Sequence, residues 1–437
     1  MKIKICISRI LFFILIILPI YQDTPLIKYL GAGGYTLLLP VSILSMIIYI
    51  IVKKTLPKNK YIDGLVRLWC LMAIVSYIAI VVWILMGNSI MSLSEFLPFK
   101  ATKVLLIFLS YIAYVLLIII CTRKNSTYYI GKYSFVTLVI LTLICIIEKS
   151  QIPYALKGIH YASEFPYWRI RLLTMESSWT ASMIFAYSAL AILWAYKYHK
   201  KILLIISLLC DFILIINSGS KTLIMSIAIF SVVYLFIITK KINKRRFISL
   251  IFVISLLFIF ANFLLPELKS GFSIDIENYT STSTRLYTSV IGLLIGIAFP
   301  FGLGGAVSLP VFQFCLRKYL PIFMKFPLKM NYTEIIGLTE KTTGDALTVK
   351  SGIINQNMYW GIIGSILLFR NFILVTNDLR KFDSSYSDFI TAIFWSSIIL
   401  LFSCNFTYEF WLIYAFVVSL IEELNRNIRL KGECIYE

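Results

Sequence analysis

The chain has 437 residues, of which 59% are hydrophobic and 14% charged, with a mean hydropathy of +0.87. A core surrounded by water has no use for that much apolar surface, so a soluble enzyme or soluble binding module is excluded, and the composition predicts an all-α polytopic membrane protein. Its 41 Lys and Arg against 21 Asp and Glu give a formal charge of +20, which membrane topology and attraction to anionic lipid explain without any nucleic-acid partner.

A helix needs about 20 apolar residues to cross the hydrocarbon. The first run, ILFFILIILPI after MKIKICISR, has the charged start and short apolar centre of a signal peptide, but no small-x-small cleavage site follows, so it reads as the first span. In chain order the predicted spans are 5–21, 31–52, 64–86, 103–121, 133–147, 176–196, 202–217, 221–239, 247–265, 353–372, 388–405 and 408–424, about twelve in all. They divide the chain into residues 1–265 with spans one to nine, a polar and mixed segment 266–350, and residues 351–437 with the last three spans and a tail. Up to residue 270, eighteen Lys and Arg fall at ends that share a side with the N-terminus and nine at the opposite ends. The positive-inside bias therefore places the N-terminus in the cytoplasm and the loop carrying Arg169 outside.

Beyond residue 265 the charge count is balanced. If residues 286–303 crossed, everything downstream would invert, and each topology keeps six basic residues inside. The segment LYTSVIGLLIGIAFPFGLG contains Gly292, Gly296, Pro300 and Gly302, a poor free span but acceptable backbone where protein covers it. A large external loop, 266–350, with an amphipathic or re-entrant helix, is the expectation, and it leaves the C-terminus cytoplasmic. The eight cysteines form no CxxC pair and imply neither a structural disulfide nor a zinc site.

Two near-motifs fail. NSGSKT, Asn217 to Thr222, ends like a phosphate loop but has Ser220 before Lys221 and lacks the glycine five positions earlier; GLGGAV, Gly302 to Val307, follows an apolar helix where a dinucleotide loop follows a strand.

The informative charges are those in the wrong place. Arg169 and Arg171 lie outside, against the bias, and Glu176 opens the next span in RIRLLTMESSWTAS. Arginines at a helix end can snorkel to headgroups while Glu176 neutralises one of them; equally, their planar forks suit diphosphate oxygens, with the carboxylate orienting an arginine or taking a proton. Lys221, in the outer turn after Ser218-Gly219-Ser220, is either an ordinary hairpin charge or a further anion ligand beside free backbone amides. Arg285 closes a polar stretch, as a solvated loop charge or a third guanidinium for an anion. Asp211, mid-span in LLCDFILIIN, is costly in hydrocarbon and is either functional or paired with a polar group on a neighbouring helix. His160 and His199 lack metal-ligand spacing and read as surface residues.

Taken in order, Arg169-x-Arg171 with Glu176-Ser-Ser-Trp179, the Ser-Gly-Ser-Lys-Thr hairpin at 218–222, Arg285 with Phe299-Pro300-Phe301-Gly302-Leu303-Gly304, and Asn355-Gln356-Asn357 leading to Trp360-Gly361-Ile362-Ile363-Gly364 resemble the bacterial O-antigen and capsule repeat-unit polymerases (Wzy type) and the related O-antigen ligases. The resemblance covers roughly residues 160 to 370. It implies a metal-independent membrane glycosyltransferase without cofactor, in the bacterial cytoplasmic membrane, with a large external loop over an outward-facing cavity. Its substrate would be undecaprenyl-diphosphate-linked oligosaccharide, and a chain-length regulator and a flippase would belong to the same pathway. The resemblance assigns the diphosphate to Arg169, Arg171 and Arg285; Lys221 stands where many relatives have arginine, which keeps the charge and loses the fork. Glu176 is the expected base, with Arg169 and Arg285 beside it as catalytic charges. The ligases carry a histidine near the end of the large loop, and KSGIINQN, Lys350 to Asn357, has none, which favours polymerase over ligase. A lipid-linked oligosaccharide flippase and a non-catalytic scaffold of a glycan assembly complex are the competing classes.

Overall fold

The computed structural model describes residues 2–30, 34–159, 161, 166–238, 280–325, 330–344, 347–382 and 384–433. The predicted span 247–265 and His160 lie outside the described residues.

Helices dominate. The first part comprises α1 (Lys2–Ile17), a single-turn α2 (Ile27–Leu30), α3 (Leu38–Lys53) and α4 (Lys60–Leu85), then a two-stranded antiparallel hairpin, β1 (Met91–Ser92) and β2 (Glu95–Phe96). It continues with α5 (Leu97–Asn125), α6 (Tyr128–Gln151), α7 (Ser177–Lys197), α8 (Lys201–Ser218) and α9 (Lys221–Ile238). After the gap come α10 (Thr280–Ala298), α11 (Gly304–Met324), the short α12 (Thr333–Glu340), α13 (Gly352–Arg380), α14 (Ser385–Leu400) and α15 (Tyr408–Glu433). Among the described residues six helices, α4 to α8 and α13, are long and apolar enough to cross a membrane, and five shorter apolar helices accompany them. The protein is thus an all-α membrane protein, with six helices meeting that length and composition where about twelve spans were expected. The predicted last span is α15; its Glu409, Glu422 and Glu423 set it apart from the six, although its Phe410 to Ile421 stretch is buried throughout.

One helix runs beyond its apolar window because its polar start is capped. Asn59 precedes α4 in extended conformation and its Oδ1 accepts the Tyr61 and Ile62 N–H groups, so the helix begins four residues before the predicted span at residue 64. Elements α5, α7 and α15 are deeply enclosed, and α5 and α15 pack along each other. Trp411, fully buried, is sandwiched between Tyr111 and Phe406 at ring-centroid distances of 5.8 and 5.5 Å, and Phe108 meets it edge-on at 6.1 Å. By contrast α8 turns Ile202, Ile205, Leu209, Phe212 and Ile216 outward, an apolar face whose matching solvent is lipid.

Long helices give the bundle two ends. At one end Lys60 and Lys381 flank Asp378 at 2.5 and 2.6 Å, and Arg123 grips Glu422. The other, reached along α5, α7 and α13, gathers Glu176, Arg285 and the α14–α15 connection; it is called the site end below.

The Gly- and Pro-rich segment forms a hairpin packed into this bundle. α10 starts at the site end and lies along α13; α11 returns along α4 and α5. Their turn meets α13 at Gly361, nine residues or about 13 Å into that helix. There α13 is broken, with Gly361 at φ 67°, and the hairpin repairs the backbone: Leu303 N–H donates to the Met358 carbonyl at 2.9 Å, and the Pro300 carbonyl accepts from Ile363 N–H at 3.2 Å. The two chains approach so closely that a Cβ on Gly361 would strike the Pro300 carbonyl and one on Gly302, at φ 84°, the Tyr359 carbonyl.

Candidate functional site

Glu176 sits at the N-cap of α7 in extended conformation (φ −133°, ψ 141°), and its carboxylate makes no capping bond to the helix backbone. An acid is favoured at this end by the helix dipole, and leaving the cap unmade keeps the carboxylate available. Ser178, the second residue of the helix, donates to its Oε2 at 3.2 Å. From α10, whose described start at Thr280 precedes the charge by five residues, Arg285 reaches across: Nη2 lies 3.4 Å from Glu176 Oε2 and 3.2 Å from Ser178 Oγ, while Nη1 donates to the Ser403 carbonyl at 3.1 Å. The guanidinium is 29% exposed and Glu176 45%. Arg285 Nε is buried without a hydrogen-bond partner among the described residues.

Tertiary contacts fix that acceptor carbonyl. The start of α13 is tied to the α14–α15 connection by Gly352 N–H to the Cys404 carbonyl, 2.8 Å, and Ile353 N–H to Leu401, 3.2 Å; Cys404 Sγ approaches the Ser178 carbonyl at 3.7 Å. Cys315 and Cys404 are both free thiols. Behind Arg285, Thr284 donates to Glu334 Oε2 at 2.9 Å, and Lys350 pairs with the other oxygen of Glu334 at 3.0 Å, so α12 holds α10 in place.

The loop before α7 is built on a residue the sequence reading passed over. Glu148, in the last turn of α6, is completely buried, and its carboxylate accepts from Tyr167 Oη (2.9 Å) and from the Arg171 and Leu172 N–H groups (both 2.8 Å). A carboxylate at a helix C-terminus opposes the dipole and its burial is costly, so these donors are what make it tolerable. Leu172 takes φ 54°, uncommon for a residue with a side chain, and its bond to Glu148 holds it there. Burial and the carboxylate together push the Tyr167 phenol well above its usual range. The signal in the sequence is weak: IIEKS looks like an ordinary polar helix end.

The predicted residues separate accordingly. Glu176 and Arg285 are brought together. Arg171 is half-buried in the same loop, with its guanidinium 4.8 Å above the Tyr167 ring and Nη1 bonded to the Met175 carbonyl at 3.1 Å. Arg169 is exposed. Lys221 is the first residue of α9, and its side chain lies outside the described residues; α8, which precedes it, is linked to α6 through Asn217 and Lys149. Asp211, half-buried, accepts from Ser188 of α7 at 2.7 Å, the pairing with a neighbouring helix that the sequence offered as one reading. His199 is exposed in the turn before α8. Among the described residues no three His, Cys, Asp or Glu side chains gather as metal ligands.

A cavity of about 270 Å³, with Trp179 in its wall, opens between α3, α5, α7, α13 and the α14–α15 connection. Asn355 and Gln356, from the motif Asn355-Gln356-Asn357, line it; Asn357 instead turns to Ser365, 2.9 Å away.

No protein-family model matches the chain, and no curated protein matches it.

Proposed function

We propose that the protein is a metal-independent membrane glycosyltransferase of the Wzy type, polymerising undecaprenyl-diphosphate-linked oligosaccharide repeat units into O-antigen or capsular polysaccharide at the outer face of the bacterial cytoplasmic membrane. One observation carries the reading: at the bundle mouth Arg285, its side chain 29% exposed, lies 3.4 Å from the part-exposed carboxylate of Glu176, with Ser178 Oγ and the Ser403 carbonyl as neutral partners. A guanidinium whose carboxylate contact is this long and this exposed can exchange it for an anion.

The chemistry follows from that arrangement. Displacing a lipid diphosphate builds negative charge on the leaving group, and a guanidinium beside it offsets that charge with charge-assisted hydrogen bonds. Arg285 takes this role, with Arg171 and the exposed Arg169 bordering the approach and Lys221 on the same side of the bundle. Binding of the anion draws Arg285 from Glu176, and the released carboxylate accepts the proton of the attacking sugar hydroxyl. The growing glycan moves to the new repeat unit, the diphosphate leaves with the lipid, and the proton is passed to solvent.

The test is glycan chain length in a deletion strain complemented with wild type, Arg285→Ala or Arg169→Ala at matched protein levels. Expected is loss of long chains for Arg285→Ala, by about 10²-fold or more in elongation rate, with single repeat units still attached to their final carrier. Arg169→Ala, whose charge works against water, loses less than about tenfold. Failure of repeat units to reach the carrier would replace the polymerase by a ligase or flippase, and normal chains in Arg285→Ala would end the enzyme reading.

A further inference from the structure

The cavity that Trp179 helps to line differs in kind from the ion pair. Among the described residues that line it none is Asp, Glu, Lys, Arg or His. Tyr35 and Trp179 meet edge to face at 6.1 Å on one wall, with Tyr111 and Phe406 on another. Between them two amides face an unmet demand. Asn355 spends its NH₂ on Tyr359 Oη at 3.1 Å, leaving Oδ1 buried without a partner, and Gln356 Oε1 is likewise buried and unmatched among the described residues. Both atoms only accept hydrogen bonds.

We infer that this cavity is a subsite for one neutral, hydroxyl-bearing sugar ring, with Asn355 and Gln356 accepting its hydroxyl protons and the aromatic walls covering its C–H faces. Three physical constraints select that ligand class. Two orphan acceptors require a donor, which excludes hydrocarbon chains, because a buried unmatched amide oxygen costs free energy until a donor arrives. The described lining offers no counter-ion, which disfavours carboxylated or phosphorylated groups. Aromatic walls interleaved with amides suit a ring that is polar at its edge and apolar on its face. At about 270 Å³ the space lies just under the roughly 300 Å³ where drug-sized pockets begin, room for a ring and not for a chain.

The inference deepens the glycosyltransferase reading and rests on it for its biological meaning: Trp179, which lines the cavity, directly follows Ser178, the residue bonded to Glu176 and Arg285. As a binding site it stands separately. Two residues of the Asn355-Gln356-Asn357 motif thereby acquire a role as specificity determinants.

The experiment is saturation-transfer NMR on the full chain in lipid nanodiscs, using free glucose, galactose, N-acetylglucosamine and rhamnose as neutral probes and glucuronate as the charged comparator. At least one neutral sugar is expected to bind, with glucuronate at least about tenfold weaker. Gln356→Met and Asn355→Leu, close in size and lacking the orphan oxygens, each weaken that binding about tenfold, and Arg285→Ala leaves it unchanged. Equal thermal stability of the variants shows that they fold, and retention of binding by Gln356→Glu at low pH, where its carboxyl is neutral, provides a second reading. Absence of binding by every neutral sugar, equal binding of glucuronate, or indifference to both substitutions overturns the inference. If Arg285→Ala makes normal glycan while sugar binding still depends on Gln356, the enzyme reading falls and the subsite remains.

Discussion

The two ends of the bundle each carry an arginine–glutamate pair, and the pairs are made differently. At the far end Arg123 grips Glu422 with two bonds, Nε at 2.7 Å and Nη2 at 2.6 Å, and Asn59 adds a third to the same carboxylate at 2.8 Å. Nearby, Ser126 Oγ and Thr127 N–H both donate to Glu423, so the α5–α6 turn is clamped to α15. At the site end Arg285 and Glu176 share one contact of 3.4 Å, and an arginine nitrogen is left over. Bidentate pairing from several directions fixes a helix; a single long contact leaves both partners able to exchange for a ligand. The same two residue types thus serve stability at one end and, in the function proposed, chemistry at the other.

Three substitutions break or sharpen this contrast. The largest effect is expected at Glu148, which underlies the site loop. Glu148→Ala strips the acceptor from three donors and frees Leu172 from its left-handed conformation, at a cost of about 3 kcal/mol or more, read as a fall in apparent Tm in detergent together with loss of long glycan. An unchanged Tm would show that the loop does not depend on this carboxylate. Next is Glu176→Gln, which keeps size and the Ser178 bond but removes the base. Chain elongation should fall about 10²-fold with Tm unchanged, because a pair this long and this exposed contributes little to folding. A matching fall in Tm would make Glu176 a structural partner of Arg285 and nothing more. The smallest effect is Glu422→Ala, at about 2 kcal/mol of stability, with glycan length unaltered at matched protein levels. Shortened chains in that variant would mean that the far end takes part in the reaction.

Much of the architecture was legible in the chain because apolar length is a local property. Runs such as KVLLIFLSYIAYVLLIIICT are helical and membrane-suited whatever surrounds them, and the six long helices each overlap a predicted span, with ends that differ by one residue in α7 and α8 and by up to eight in α13. Part of the site was legible for the same reason: Arg171, Glu176 and Arg285 drew attention as charges next to hydrocarbon. Their relationship was not. Glu176 and Arg285 stand 109 positions apart, and no spacing rule joins an N-cap to a side chain five residues into a helix of another segment. Glu148 escaped because an acid next to Lys149 at a helix end has the pattern of a solvated terminus, and only the fold of the following loop buries it.

The sequence by itself determined that this is an all-α membrane protein, strongly basic, with misplaced charges near residues 169–176 and at Arg285, since hydropathy and charge act through the solvent each residue prefers. The tertiary structure decided which charges meet, that the Pro300–Gly304 turn exchanges backbone hydrogen bonds with a broken α13 at Gly361, and that Asn355, Gln356 and Trp179 line one cavity. Those outcomes depend on how helices far apart in the chain pack and which polar groups that packing leaves unmatched, and local pattern carries no record of either.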